Sequence, residues 1–154
     1  MKQIIVWSSL AIFLCCSAGM IFAEEHGTAE EAKANVQKAI VYLKANGEEK
    51  TFAEINNPKG QFINKDLYIF VYNREGLCMA HGSDPDLIGS NLFEMQDRDG
   101  KFLVQEFIKT VDKSGSGWVD YKWTHPIDKT KILSKSAYVE RVDNLVIGCG
   151  RYKD

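Results

Sequence analysis

Six residues of this 154-residue chain carry the groups that a small-molecule site needs: a cation, hydrogen-bond donors and aromatic rings. Lys135 stands in a strand-like segment between Leu133 and Ala137, which favours a buried cation, although a solvated edge-strand lysine is the alternative. His81 ends another strand-like segment, and its ring could donate a hydrogen bond and titrate near neutral pH. The remaining four are Tyr68, Phe70, Tyr121 and Trp123.

The spacing of the aromatic residues predicts which of them share a face. Tyr121 and Trp123 are two residues apart in one predicted strand, so both point to the same side and offer a hydroxyl and an indole N–H. Tyr68 and Phe70 belong to a segment with apolar residues on both faces and would form the floor of a pocket. Ordinary core packing is the alternative for each ring. Tyr138 has the opposite parity to Lys135 and is expected to face away from it.

Common catalytic and metal-binding spacings are absent from the sequence. No serine lies in a nucleophile elbow, and the histidines 26, 81 and 125 are scattered without an obvious acid partner. Cys78 and His81 are three residues apart, so a regular strand would place them on opposite faces. The acidic turn at 97–100 lacks the further oxygen ligands of a calcium loop. We therefore predict no enzyme activity, no metal and no cofactor.

A β-hairpin at residues 67–82, LYIFVYNREGLCMAHG, is the element that must position several of these side chains. Both alternating sets of residues in its first strand are apolar or aromatic, so we expect a protein layer on each side of it. Thr28 and Glu31 form a capping box that predicts the start of a long amphipathic helix, and Gly47 would end it. The other predicted elements are helices at 49–56 and 101–111 and strands at 118–123, 131–142 and 144–152. This order predicts an α+β domain with a five-stranded antiparallel sheet.

The N-terminal residues predict export. Lys2 precedes an apolar run at 4–23, which is typical of a signal peptide cleaved after Ala23, with an uncleaved membrane anchor as the alternative. Residues 24–154 suffice for one domain and are too few for two, so we expect a periplasmic or secreted protein. Cys78 and Cys149 lie in apolar strand-like segments and are predicted to be buried thiols rather than a disulfide. No basic stripe points to nucleic acid.

Several short motifs, in this order and spacing, resemble the single Cache domain, the extracytoplasmic relative of the PAS sensor fold. They are AHG at 80–82, GSNL at 89–92, DGK at 99–101, YKW at 121–123, the Lys135 and Tyr138 pair, and GCGRY at 148–152. The resemblance covers nearly all of residues 24–154. It implies a PAS-like five-stranded antiparallel sheet with the long N-terminal helix on one face and a pocket covered by loops and a helix on the other.

The resemblance also implies a function. Cache domains usually sit outside the membrane on chemoreceptors and histidine kinases and bind small molecules, often organic acids. A short carboxylate would need Lys135 to neutralise it and Tyr121, Trp123 and His81 as donors. No output region follows up to Asp154, so we expect signalling through a separate membrane-bound receptor or kinase, with the first helix as a possible homodimer contact. The alternative is a protein that docks to such a partner without a ligand of its own.

Overall fold

One five-stranded antiparallel sheet forms the centre of the protein. A computed structural model describes residues 26–126 and 128–153, so the predicted signal peptide at 1–23 lies outside the described residues. In chain order the elements are α1 (Ala29–Ile55), β1 (Ile69–Asn73), β2 (Cys78–His81), a 3₁₀ turn (Pro85–Leu87), α2 (Leu103–Ser114), β3 (Ser116–Thr124), β4 (Ile132–Val142) and β5 (Leu145–Tyr152). The strands pair in the order β2-β1-β5-β4-β3, which confirms the predicted α+β architecture.

Helix α1 covers one face of the sheet and begins where the capping box predicts. The Thr28 hydroxyl accepts the backbone N–H of Glu31, and the Glu31 carboxylate accepts the N–H of Thr28. Gly47 breaks the helical path with φ 79°, a conformation that favours glycine, so the predicted end of the first helical segment is present as a kink. The buried stripe of α1 packs against aliphatic residues of the sheet, including Ile69 and Val71.

Helix α2 and the loops before it cover the opposite face. All five residues of the predicted apolar stripe of α2 are buried, namely Leu103, Val104, Phe107, Ile108 and Val111. They pack against Tyr68, just before β1, and against Phe70 and Tyr72 of β1, so the two faces of β1 are both covered as the sequence predicts. We call the side of the sheet under α2 the aromatic face. Neither helix of the described residues is long and apolar enough to cross a membrane.

A β-bulge in the hairpin corrects one prediction from strand parity. Tyr72 pairs with Cys78 and Val71 pairs with Ala80, so Met79 is the extra residue on β2. The bulge brings Cys78 onto the aromatic face with His81, where a regular strand would have separated them. Burial nevertheless raises the pKa of Cys78 to about 12, so its thiol stays protonated. No thiolate–imidazole pair results.

The two buried cysteines lie in different layers. Cys78 packs in the cluster under α2, whereas Cys149 packs in the cluster under α1. Both are free thiols. The sheet separates them, which agrees with the prediction of buried cysteines without a disulfide.

Two glycines of the central strand β5 make a shallow trough on the aromatic face. A Cβ atom at Gly148 would lie 2.3 Å from the Phe70 ring, and one at Gly150 would lie 2.5 Å from Cε of Lys135. Both glycines therefore leave space for a large side chain from a neighbouring strand to lie across β5. Tyr152 follows with the same parity and pairs directly with Lys135.

The trough generates a prediction for stability. Gly148→Ala should lower the free energy of unfolding by about 1–3 kcal/mol, because overpacking against Phe70 and Val139 outweighs the modest entropic gain of replacing a glycine. Urea denaturation measures the difference. Arg151→Ala, at a half-buried position on the same strand, is the control and should change stability much less. A Gly148→Ala protein as stable as the parent would contradict this packing.

Candidate functional site

All six residues predicted from the sequence lie together on the aromatic face. The ring of His81 lies 5.2 Å from that of Tyr68, 6.3 Å from that of Phe70 and 6.3 Å from that of Trp123. Tyr121 lies 6.1 Å from Trp123, again between ring centres. These residues lie on β1, β2, β3 and β4 or, for Tyr68, directly before β1, so the sheet itself assembles the cluster. Tyr138 lies in the layer under α1, as its parity predicts.

Lys135 brings a positive charge into the middle of this cluster. Its side chain is fully buried on β4, which has β3 and β5 on either side, so the interpretation as a solvated edge-strand lysine is wrong. The Nζ atom lies 3.8 Å from the ring centre of Tyr68 and 4.4 Å from that of Tyr152. Among the described residues no hydrogen-bond acceptor contacts it. Two ring faces therefore lie against the ammonium, and none of its N–H groups makes a hydrogen bond within the described residues.

Sequence reasoning missed several aromatic residues of the cluster, among them Phe107 and Tyr152. Phe107 on α2 stacks on Phe70 with 5.2 Å between ring centres and meets Tyr121 edge-on at 5.4 Å. Tyr152 lies against Lys135, and its hydroxyl donates a 2.6 Å hydrogen bond to the carbonyl of Thr124. The alternation of Gly148, Gly150 and Tyr152 was the available signal for Tyr152, because two glycines before a tyrosine leave room beside it.

The imidazole of His81 is held in one tautomer. Its Nδ1 atom accepts the backbone N–H of Asp84 at 3.0 Å, so a neutral ring carries its proton on Nε2. Burial first, and then the positive charges of Lys135 and Lys129, lower the pKa of His81 to about 3. The prediction that this histidine titrates near neutrality is therefore wrong. His81 is a neutral residue with one N–H still able to donate, on the side of the ring opposite Asp84.

Three phenol groups on the aromatic face have raised pKa values and are neutral. Burial raises the pKa of Tyr121 and of Tyr72 well above the ordinary value, and burial likewise raises the pKa of Tyr152. No buried aspartate or glutamate is found among residues 26–126 and 128–153. The buried ionisable groups of the aromatic face thus combine one ammonium with neutral hydroxyl, thiol and imidazole groups.

The loop at residues 97–101, which we call the fastened loop, is hydrogen-bonded to the free edge of β3 and closes one side of the cluster. The Asp97 carboxylate accepts three backbone N–H groups, from Asp99, Lys101 and Lys122, at 2.9 Å each. These bonds lower the pKa of Asp97, although burial acts in the opposite direction. The Lys101 ammonium also donates to the carbonyl of Asp120 on β3. Side chains rather than a sixth strand therefore cover this edge.

Two cavities flank the packed cluster. One of about 280 Å³ lies between the loops at 84–87 and 95–98, with Trp123 on its inner wall. A second of about 260 Å³ lies beside the fastened loop, where Tyr121 and Lys135 contribute to its wall. Trp123 therefore stands between an outer cavity and the ring of His81. The salt bridge between Asp84 and Lys129, 4.0 Å long, joins two loops near the same cavity.

The arrangement can bind a small anion and has no activated nucleophile. An oxygen of a ligand carboxylate would find the Lys135 ammonium, with the Nε2–H of His81 nearby as a neutral donor. The rest of the wall is aromatic and suits a short carbon chain. Cys78 is protonated, and His81 is a neutral ring whose lowered pKa makes it a weak base, so neither provides nucleophilic catalysis.

Comparisons with known proteins agree with this fold. The family model for Single Cache domain 2 matches residues 22–154. The sensor histidine kinase MctS of Rhizobium johnstonii (strain DSM 114642 / LMG 32736 / 3841) is 35% identical over 92 residues, which are 58% of this chain and 20% of the kinase. The matched part is thus a fifth of that relative.

Three solved structures are similar over most of the chain. A periplasmic sensor domain of a chemotaxis protein is 27% identical with a TM-score of 0.65, covering 81% of this chain and 90% of that domain. A methyl-accepting chemotaxis protein from Vibrio parahaemolyticus RIMD 2210633 is 26% identical with a TM-score of 0.69, covering 81% and 88%. A Cache chemosensory domain that recognises carboxylic acid is 23% identical with a TM-score of 0.70, covering 81% and 92%.

The family match spans nearly all of the chain, and the sheet order, the long first helix and the second covered face are those of the PAS-like fold. The chain therefore belongs to the family of single Cache domain 2 sensor domains.

Proposed function

We propose that this protein is an extracytoplasmic binding module for a short monocarboxylic acid and that it acts in signal transduction through a separate membrane-bound receptor or kinase. The ligand occupies the aromatic face and forms an ion pair with Lys135. The kinase and chemotaxis proteins similar to this chain support the sensory role.

The observation that carries the proposal is the buried ammonium of Lys135 with no hydrogen-bond acceptor among the described residues. Removing an ammonium from water without a counter-charge costs several kcal/mol, and cation–π contacts with Tyr68 and Tyr152 recover only about 0.5–2 kcal/mol each. The unpaired Lys135 ammonium therefore reduces the stability of the ligand-free protein, and a role in ligand binding accounts for its presence. A ligand carboxylate supplies both the missing charge and the missing acceptors.

The surrounding groups set the orientation of the ligand. One carboxylate oxygen contacts Lys135, and the neutral Nε2–H of His81 donates to the carboxylate from the hairpin side. The carbon chain lies against Phe70 and Phe107, whose rings are stacked. The ligand enters from the outer cavity past Trp123. Trp123 lines that cavity and also lies next to the ring of His81.

The charge of the site favours a monocarboxylate over other small metabolites. Lys135 is the one buried lysine or arginine of the described residues, so a second carboxylate would lie among aromatic rings without a cation. An amino acid would bring an ammonium group next to Lys135 without a buried carboxylate to pair with it. Acetate, propionate, lactate and pyruvate avoid both costs. The carboxylic acid recognised by a structurally similar Cache domain belongs to the same chemical class.

A thermal-shift screen of the purified protein against monocarboxylates, dicarboxylates, amino acids and amines tests the function. A ligand that binds only the native state raises the melting temperature with concentration. We expect a shift with one or more of the four monocarboxylates and little with the others. A flat response of folded protein across the whole panel would contradict the proposal and favour the alternative of docking to a receptor or kinase without a ligand.

Lys135→Met tests the site. The change keeps the length of the side chain and removes the charge, so affinity for the monocarboxylate should fall at least about tenfold, as loss of a charged hydrogen bond implies. The free variant should be as stable as the parent or more stable, since an unpaired buried charge is removed. Calorimetric titration and thermal melting measure the two effects.

Lys33→Met is the matched control for that variant. The Lys33 ammonium also lies over a tyrosine ring, 5.4 Å from that of Tyr138, but on the α1 side of the sheet. Its replacement should leave carboxylate affinity unchanged. Equal affinities of Lys135→Met and the parent protein would show that the ligand binds elsewhere.

The neutral state of His81 predicts the pH dependence. Its folded pKa of about 3 lies below the ordinary value of 6.5, so the unfolded state binds the extra proton. His81 therefore stabilises the fold fully above about pH 6.5 and loses this contribution as the pH falls towards 3, by up to about 1.4 kcal/mol per pH unit.

His81→Asn separates this contribution from those of other groups. The asparagine oxygen can still accept from Asp84, but the donor at Nε2 is lost, so affinity should fall about twofold to tenfold. The difference in unfolding free energy between parent and variant should depend on pH only below about 6.5, whereas the affinity of the parent for an ionised carboxylate should stay constant between pH 6 and 8. A twofold or larger change of affinity with pH in that range would contradict a neutral His81.

A further inference from the structure

The rings of Tyr152 and Tyr68 both lie against the end of the Lys135 side chain. The Nζ atom lies 4.4 Å and 3.8 Å from their ring centres. Beneath the side chain, Gly150 takes the place where a Cβ atom would lie within 3.1 Å of three of the lysine carbons. Gly150 and the two rings are therefore the neighbours that fix the course of the lysine side chain across β5.

Ring faces hold a charge in a way that suits a binding site. A tyrosine face attracts an ammonium through its quadrupole and accepts no conventional hydrogen bond from it. The three N–H groups of Lys135 therefore keep their full capacity for a ligand. A carboxylate partner within the protein would instead have competed with the ligand for both charge and donors. Holding the side chain before the ligand arrives also reduces the rotamer entropy lost on binding.

The ring of Tyr152 is itself fixed from outside the cluster. Its hydroxyl donates to the Thr124 carbonyl at the end of β3, and the side chain is fully buried. Direct pairing of Tyr152 with Lys135 in the sheet places their side chains next to each other on one face. Tyr152 thus connects the last strand and the end of β3 to the ammonium.

We propose that Tyr152 is a positioning residue for ligand recognition: its ring, with that of Tyr68, holds the Lys135 ammonium in place while leaving every N–H donor for the carboxylate of the ligand. The inference rests on the proposed function, because it assumes that a carboxylate binds to Lys135. It adds that ligand affinity depends on how strongly the Tyr152 ring attracts the Lys135 ammonium, although Tyr152 does not itself contact the ligand.

The test replaces the ring and follows two readouts. Tyr152→Phe keeps the aromatic face and should change propionate affinity less than about twofold, whereas Tyr152→Leu removes the face and should lower it about threefold to thirtyfold, as the cation–π range implies. The second readout is the NMR chemical shift of the Lys135 ε-methylene protons in free protein. Ring currents should move these protons upfield in the parent and in Tyr152→Phe, and less so in Tyr152→Leu.

A fluorinated series keeps the test valid if Tyr152→Leu does not fold. Progressive fluorination of a phenylalanine at position 152 weakens the attraction for a cation with little change of shape, so affinity should fall with each step. Tyr138→Leu is the control, since this tyrosine lies on the same strand as Lys135 but in the layer under α1. It should change neither the propionate affinity nor the Lys135 shift.

The outcomes distinguish the two proposals. If the parent binds no carboxylate, the proposed function fails and this inference fails with it, even if Lys135 shows the ring-current shift. If the parent binds propionate but Tyr152→Leu and the fluorinated series bind equally well, the positioning role is wrong and the proposed function stands. A lower affinity in Tyr138→Leu equal to that in Tyr152→Leu would indicate a general loss of packing and would also overturn the inference.

Discussion

The burial of one positive charge between aromatic rings is the constraint on which the site depends. Lys135 can cross the central strand only because Gly150 has no side chain. Ring faces of Tyr68 and Tyr152 lie against its ammonium and replace part of its hydration. The sheet supplies these neighbours by strand pairing. Ligand recognition thus begins with the packing of β5.

The two faces of the sheet have different compositions and different roles. Under α1 the contacts are mainly aliphatic, as at Ile69 and Val71, and they secure the long helix on the sheet. The aromatic face combines rings with a cation and with neutral donors, and it is bordered by cavities of about 280 and 260 Å³. Stability and recognition are therefore carried by opposite sides of the same strands, and one strand such as β1 serves both through its alternating residues.

Much of this arrangement follows from local rules. The alternation of residues 67–72 predicts the two layers, the Thr28 capping box predicts the start of α1, and the parity of Lys135 and Tyr138 places them on opposite faces, all as found. These predictions succeed because they need only the geometry of a regular strand or helix. The same geometry predicts the shared face of Tyr121 and Trp123, whereas the strand order brings the six candidate residues together.

What the sequence could not reveal depends on irregular structure and on tertiary contacts. The bulge at Met79 places Cys78 and His81 on the same face, and no residue in this segment is of a type that would have predicted a bulge. The low pKa of His81 arises from burial and from lysines on other elements. Tyr152 joins the site through the register between β4 and β5, which is set by long-range pairing. The local sequence pattern predicts on which face a side chain lies, whereas its neighbours on other strands can be known only from the complete fold.

A crystal structure of the protein with propionate tests the central claim most directly. The account predicts a carboxylate oxygen within about 2.7–2.9 Å of Lys135 Nζ, as charge-assisted hydrogen bonds require, with Nε2 of His81 on the carboxylate and the carbon chain against Phe70. Propionate at another place, for instance in the cavity between α1 and the turn joining β4 and β5, with Lys135 unchanged between its two tyrosines, would contradict it.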